Sequence, residues 1–358
     1  MGFLIKSDLK IDKQSVFIIN NNNNNNNKRK NMNIKKIGMT ALAASLVSTS
    51  VFAGEMAVTG SAAINFENYS GSEMSSTKSF SMGNQLTFSG SGELDNGMTV
   101  ALKFVLDQAD ADPGPFDGHS VTVSSDALGT LKFHGEGGDS AQNAVGDTAA
   151  GNIWDNFDGK NGATATLSES GATDNMIHYT LPTLVDGVAL AASYVPAGAN
   201  DEADTAYSLV YTGVEGLTLS YGAGTSDQDA AGSYNAGASS LTNADTTSMK
   251  ASYAIGSFTL AYSDHDHDSN TDTSDQTATS WKVSYTVSDA LSVTYATESI
   301  DDNATLATSD AEYTKVTAAH TSGGMTVSAN YQEASNGGYT TAIDEDIEYI
   351  GLSVSFAF

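Results

Sequence analysis

The sequence predicts an all-β fold, a 16-stranded antiparallel transmembrane β-barrel. Three observations predict it. From Met56 onward apolar residues recur at every second position, the period of a strand. The face so formed is apolar, while the opposite face is almost wholly Ser, Thr, Ala, Lys and Asn. A soluble sandwich would need its apolar face inside, and the strands are too many for two sheets. Short and long connections then alternate strictly along the chain, with turns on one side of a membrane and loops on the other. The composition agrees, with 34 Gly, 15 Tyr and only 4 Pro.

The amino-terminal part reads as an address. Residues 1–31 contain the asparagine run Asn20 to Asn27, followed by Lys28, Arg29 and Lys30. An asparagine homopolymer has no apolar face to bury, so this leader is expected to be disordered or to lie upstream of the true start. Residues 32–53 have a basic start at Lys35 and Lys36, a short apolar run from Ile37 to Val47 and a small residue, Ala53, at the cleavage position. That is the pattern of a secretory signal peptide, and the run is too short and too often broken by Ser and Thr to span a bilayer. The barrel is expected over residues 54–358.

The first eight strands are expected at 56–68, 80–92, 98–107, 119–125, 130–136, 174–181, 186–195 and 205–212. The second eight are expected at 216–225, 246–254, 257–265, 279–287, 290–299, 312–321, 324–333 and 346–358. The clearest alternation is in the second set: Leu217, Leu219 and Tyr221; Phe258, Leu260 and Tyr262; Trp281, Val283, Tyr285 and Val287; Met325, Val327, Ala329 and Tyr331. Tight turns join the hairpins at Asp95-Asn96-Gly97, Gly213-Val214-Glu215, Ile255-Gly256, Ser288-Asp289 and Ser322-Gly323. A tyrosine flanks several of them on each side, as in Tyr211 to Tyr221, Tyr253 to Tyr262 and Tyr285 to Tyr295. At constant height these would form an aromatic girdle at the membrane interface. Pro113, Pro115, Pro182 and Pro196 all fall in connections, where no ladder hydrogen bond is lost.

Charge and cysteine content exclude several function classes. With no cysteine there is no disulfide scaffold, thiolate metal site or cysteine nucleophile. The net charge is −28, and residues 54–358 carry seven lysines and no arginine against 41 acids. A nucleic-acid partner is excluded, because phosphate recognition needs Lys/Arg stripes. No G-x-S-x-G, H-E-x-x-H or phosphate-binding glycine loop occurs, so an enzyme is not expected. A hydrolytic barrel would have to use His119, His134 or His320 with a positioned base partner.

Nearly all of the 54–358 segment resembles the Gram-negative trimeric porins, the 16-stranded general diffusion type. The stretch from Asp174-Asn175-Met176-Ile177-His178-Tyr179 through Leu181-Pro182 and Gly187 to Ala192-Ser193-Tyr194 is similar to a family hairpin. Ser120 to Phe133, with the turn Leu128-Gly129-Thr130-Leu131, is similar to another. At the carboxyl end Ile350, Leu352, Val354, Phe356 and Phe358 alternate outward and resemble the signal read by the barrel-assembly machinery. The resemblance implies an outer-membrane homotrimer in lipid and lipopolysaccharide, passing small hydrophilic solutes and ions by passive diffusion. It also implies that a long third loop, at 137–173, folds into the lumen and narrows it.

The acids of that constriction would be Glu136, Asp139, Asp147, Asp155 and Asp158, with Glu169 beyond them. The family opposes such acids with an arginine and lysine cluster, whereas here His178 stands at the family's arginine position. By alternation the pore-wall candidates are Lys103, Lys132, His134, His178, Lys250, Lys282 and Lys315. Carboxylate rings with so few cations imply a preference for cations. The alternatives are a substrate-selective channel, with Trp154 and Phe157 as the aromatic slide, and an acidic adhesin or structural barrel without conductance.

Twenty-four of the 41 acids fall in the long connections. On a lipopolysaccharide surface such loops would repel phosphates unless Ca²⁺ or Mg²⁺ bridged them, although no cofactor is required. Asp264, Asp266 and Asp268 copy the first three positions of a Ca²⁺ loop, but Ser269 replaces its glycine and Asp275 its glutamate. His265 and His267 lack a third defined ligand for Zn²⁺.

Overall fold

A computed structural model describes residues 55–71, 77–107, 117–158, 160, 174–197, 203–226, 244–268, 275–302, 308–339 and 346–358. The expected leader and signal peptide, 1–53, and Glu169 lie outside the described residues. Sixteen strands follow in order: β1 (Glu55–Gly71), β2 (Thr77–Glu93), β3 (Thr99–Asp107), β4 (Gly118–Ser125), β5 (Gly129–Glu136), β6 (Met176–Thr180), β7 (Val188–Val195) and β8 (Asp204–Tyr211). Then come β9 (Leu217–Ser226), β10 (Ala244–Ile255), β11 (Phe258–Asp268), β12 (Gln276–Ser288), β13 (Leu291–Asp302), β14 (Ala311–Ser322), β15 (Met325–Ser335) and β16 (Ile347–Ala357).

Each strand pairs antiparallel with its sequence neighbours, and β1 pairs with β16, so the sheet has no edge. Closure satisfies every ladder group internally, the condition for strands to cross lipid. At the seam Ile64 faces Val354, and the Gly60 and Phe358 backbones exchange hydrogen bonds of 2.7 and 2.9 Å. A Cβ on Gly60 would meet the Phe358 ring at 2.6 Å, so glycine is what lets the terminal ring close the seam.

Burial alternates as the sequence requires. In β11 Phe258, Leu260 and Tyr262 are exposed on the outer face, while Thr259, Ala261 and Ser263 are less so on the inner one. Tyr253, Tyr285, Tyr295 and Tyr331 are likewise exposed on the outer face, with ring pairs Phe258–Tyr285 at 4.9 Å and Trp281–Tyr295 at 5.4 Å. The Tyr331 hydroxyl donates to Glu333 at 2.6 Å and that of Tyr262 to Asp264 at 3.2 Å. An amphipathic ring with its polar tip directed away from the apolar band is the girdle geometry.

On the long-loop side the ends of β1, β2 and β8–β15 run past the expected limits. Above the tyrosines the phase of polarity inverts: in β13 the outer face carries Thr297, Ser299 and Asp301, while the inner face carries Ala296, Glu298 and Ile300, all buried. There the outside is water and the inside is packed protein. Two expectations change as a result. The connection between β1 and β2 is only 72–76, no longer than the turn 94–98. Asp245, Asp266, Asp268 and Asp301 sit in strands rather than loops.

The partial match to a Ca²⁺ loop falls, in its described part, on a strand. Asp264, Asp266 and Asp268 project from the outer face of β11 in a line, because extended backbone spaces same-face residues along the strand instead of around a point. Among the described residues no group of three or more His, Asp or Glu side chains converges as a metal site. His265 and His267 are buried on the inner face of the same strand.

Candidate functional site

Of the connection 137–175 between β5 and β6, hereafter loop three, the described residues 137–158 lie along the inside of the barrel. It carries two short 3₁₀ turns, Ala141–Ala144 and Ile153–Asn156. Such a segment has backbone N–H groups without ladder partners, which must find acceptors if they are buried. The wall supplies them. Ala141 N–H donates to Ser193 Oγ of β7 at 2.8 Å, Ala149 N–H to Ser263 Oγ of β11 at 2.8 Å, and Ala150 N–H to Ser280 Oγ of β12 at 3.2 Å. Gln142 is buried, donating to Ser248 Oγ at 2.8 Å and accepting from Thr246 Oγ1 at 2.7 Å, both on β10. Gly222 of β9 lets the loop backbone approach, since a Cβ there would meet the Gln142 carbonyl oxygen at 2.8 Å.

The centre of this docking is Glu298 on the inner face of β13. Its carboxylate accepts from the Thr148 hydroxyl and from Trp154 N–H at 3.0 Å, and the side chain is 2 % exposed. Farther on, Asn156 Nδ2 donates to Gln332 Oε1 of β15 at 2.9 Å. The tip is then buried in an apolar cluster on the inner wall: Ile153 and Phe157 pack with Ala278, Ile300, Tyr313, Tyr339 and Ile347. The Phe157 and Tyr313 rings lie 5.8 Å apart. Phe157, which the alternative of a substrate-selective channel would use in an aromatic slide, is fully buried and unavailable to a solute; Trp154 is half-buried against the same cluster.

With its backbone docked on the wall, loop three turns its acids outward from the contact. Asp139, Asp147, Asp155 and Asp158 are all exposed, and Glu136 is half-buried. Asn143 donates to the Asp139 carboxylate at 3.1 Å, and Asn152 to that of Asp147 at 3.4 Å. Glu136 lies at a bulge in the β4–β5 ladder and pairs with His119 Nδ1 at 3.4 Å.

All seven wall candidates stand on the inner face, in two groups. Lys132 and His178 are direct cross-strand partners on β5 and β6, with His134 beside them and Lys103 on β3 within electrostatic reach of Lys132. Lys132, His134, His178 and Asp139 line one cavity. Lys250, Lys282 and Lys315 form the second group, below the middle of loop three. Lys250 Nζ donates to the Asp147 carbonyl at 2.7 Å, and Lys315 interacts with Glu298, Lys282 and Asp147. Of the three histidines weighed for hydrolysis, His119 and His134 border one cavity and His320 lies on another strand. His119 and His320 are exposed on the outer face of β4 and β14, and His134 is buried on the inner face of β5.

The docking residues Glu298, Gln142 and Gln332 were not among the sequence candidates. One signal pointed to Glu298: it is an acid in the inward phase of an alternating strand, well away from either end.

The sequence model of the Gram-negative porin family matches residues 38–358. No curated protein matches the sequence. Among solved structures, an anion-selective porin from Comamonas acidovorans is 14 % identical with a TM-score of 0.62, covering 85 % of this chain and 100 % of its own. Salmonella typhi OmpF in complex with daunomycin is 13 % identical with a TM-score of 0.62, covering 86 % and 98 %. A loop L8 deletion mutant of the outer-membrane protein OmpT of Vibrio cholerae is 14 % identical with a TM-score of 0.63, covering 86 % and 100 %. At these identities the likeness is one of fold.

Proposed function

The chain belongs to the Gram-negative porin family, outer-membrane diffusion channels, and from that premise we propose that its bore passes small hydrophilic solutes and ions passively, with cations preferred. The observation that carries the selectivity is the exposure of Asp139, Asp147, Asp155 and Asp158 on the free side of loop three. Fixed carboxylates at a narrow point raise the local concentration of cations and exclude anions. The wall lysines oppose this only in part, since the Lys315 ammonium lies within electrostatic reach of the Glu298 and Asp147 carboxylates. The anion selectivity named for the Comamonas acidovorans porin belongs to that chain, whose identity to this one is 14 %.

The same proposal includes a homotrimer, export through a signal peptide at 32–53 and insertion by the assembly machinery. It also includes loose association of Ca²⁺ or Mg²⁺ with the acidic outer rim. There the exposed pairs Asp245–Asp268 and Glu333–Glu348 stand directly opposite each other across their ladders. Like charges so placed repel unless a counter-ion lies between them. No reaction is proposed.

Purified protein added to a planar bilayer tests the channel reading. Stepwise, ohmic conductance that rises with salt concentration is expected. A barrel that inserts without conducting would overturn it.

A further inference from the structure

We propose that His119, outside the barrel, is a positioning residue for Glu136 at the foot of loop three, and that its protonation shifts the ion selectivity of the bore. The proposal rests on the porin reading and adds a control to it. His119 is the second residue of β4 and projects from the outer face. Glu136 is the last residue of β5. Their contact, His119 Nδ1 to a Glu136 carboxylate oxygen at 3.4 Å, is the one salt bridge between described residues.

A barrel wall ordinarily keeps outer and inner side chains apart, because successive residues of a strand point to opposite faces. Here the wall is thin. The β4–β5 ladder passes from the pair His119–Glu136 directly to Ser120–His134, which leaves Gly135 unpaired. The imidazole lies over that glycine, where a Cβ would collide with Nε2. Gly137 follows with a φ of +62°, and a Cβ there would meet the Asp117 carbonyl oxygen at 2.9 Å. One cavity of about 40 Å³ is therefore bordered by His119 from outside and by Lys103, Lys132 and His134 from inside, with Glu136 between them. At roughly 30 Å³ per water it has room for one water or for a carboxylate group.

Glu136 thus has cations on two sides. The outer one is His119, whose ring stacks on Phe104 of β3 with centroids 6.3 Å apart and planes at 21°. The inner one is Lys103, which has no salt-bridge partner among the described residues, whereas Lys132 already has Asp139 within electrostatic reach. The other charged or titratable groups around the bulge are His134 and His178 on the inner face, Asp117 before β4, and Asp174, which accepts from Gly137 N–H at 3.2 Å. A neutral imidazole offers no charge, so Glu136 is drawn to Lys103 and cancels a cation in the bore. An imidazolium holds Glu136 at the outer wall, the position seen in the structure, and leaves Lys103 uncompensated. The preference for cations is therefore larger with His119 neutral and smaller with His119 protonated.

The test measures the reversal potential of the purified protein in a planar bilayer across a potassium chloride gradient, from about pH 8 to about pH 5.5, where histidine changes charge and carboxylates stay ionised. It is made in the wild-type protein and in a His134→Gln/His178→Gln background, which removes the titrating groups of the inner face. In both, the potassium-over-chloride permeability ratio is expected to fall about threefold on acidification, the worth of one unit charge in a largely aqueous setting. In that background, His119→Phe, which keeps the ring on Phe104, should hold the ratio at its alkaline value throughout. His119→Lys should hold it at its acid value, and Glu136→Gln should remove the pH dependence from a lower starting ratio. A ratio that does not change with pH in the background protein, or a change that survives His119→Phe, overturns the proposal and leaves the porin reading intact. So does a His119→Lys channel with the alkaline wild-type ratio. Absence of any conductance overturns both readings.

Discussion

Two stretches of one inner wall are built from the same small polar residues and have opposite fates. On β7 and β10–β12, Ser193, Ser248, Ser263 and Ser280 receive hydrogen bonds from loop three and are buried beneath it. On β3–β6, Thr130, Thr180, Lys103 and Lys132 line cavities open to the bore. The difference is made by a piece of irregular backbone, whose N–H groups need acceptors wherever it is laid down. An inward hydroxyl therefore does not by itself mean water. It means a polar surface that either solvent or an irregular segment can use.

This contrast can be broken from the covered side. Phe157→Ala removes the ring that fills the cluster with Tyr313, at a cost of about 3–5 kcal/mol to loop docking. Hydrogen exchange at residues 141–157 should accelerate strongly while the barrel strands stay protected, and the current should become noisier. Glu298→Gln leaves the carboxylate's donors poorly matched and should cost about 1–3 kcal/mol. The same exchange measurement should rank it below Phe157→Ala.

Ser248→Ala removes one of the two hydroxyls that hold Gln142, about 1 kcal/mol, visible as a small local loss of protection around the first 3₁₀ turn. On the open wall, Thr180→Ala and Lys103→Met touch no loop-three backbone and should leave that exchange unchanged. Lys103→Met should only shift the reversal potential a little further toward the cation limit. Loop-three protection that fell equally for both walls would mean that the loop is held by the barrel as a whole and not by these acceptors.

The sixteen strands were legible because lipid outside and polar contacts inside impose period two on the membrane-crossing part of every one of them. The upper strand ends were less so. Asp264, Asp266 and Asp268 continue β11 in register with β10, but they carry acids where an apolar outer face was expected. A reading anchored on apolar alternation stops at His265 and assigns Asp266 and Asp268 to a loop. The inward parity of Lys103, Lys132, His178, Lys250, Lys282 and Lys315 followed directly from the strand phase. What could not be read was the use of those faces. Ser263 under loop three and Ser252 away from it are indistinguishable by type and parity, and the partner of Ser263 is a backbone amide, which no residue pattern announces. Phe157 looked like a lumen aromatic because the wall it packs against is made of inward Ile300, Tyr313 and Ile347, residues that come together only on closure.

The central claim is that loop three presents its carboxylates to solvent in a water-filled bore. The reversal potential of the purified channel in a potassium chloride gradient tests it most directly. A potential of the sign set by potassium is expected, falling toward zero when Asp139, Asp147, Asp155 and Asp158 are all changed to Asn. A potential set by chloride in the wild-type protein, or one that the four substitutions leave unmoved, would contradict it.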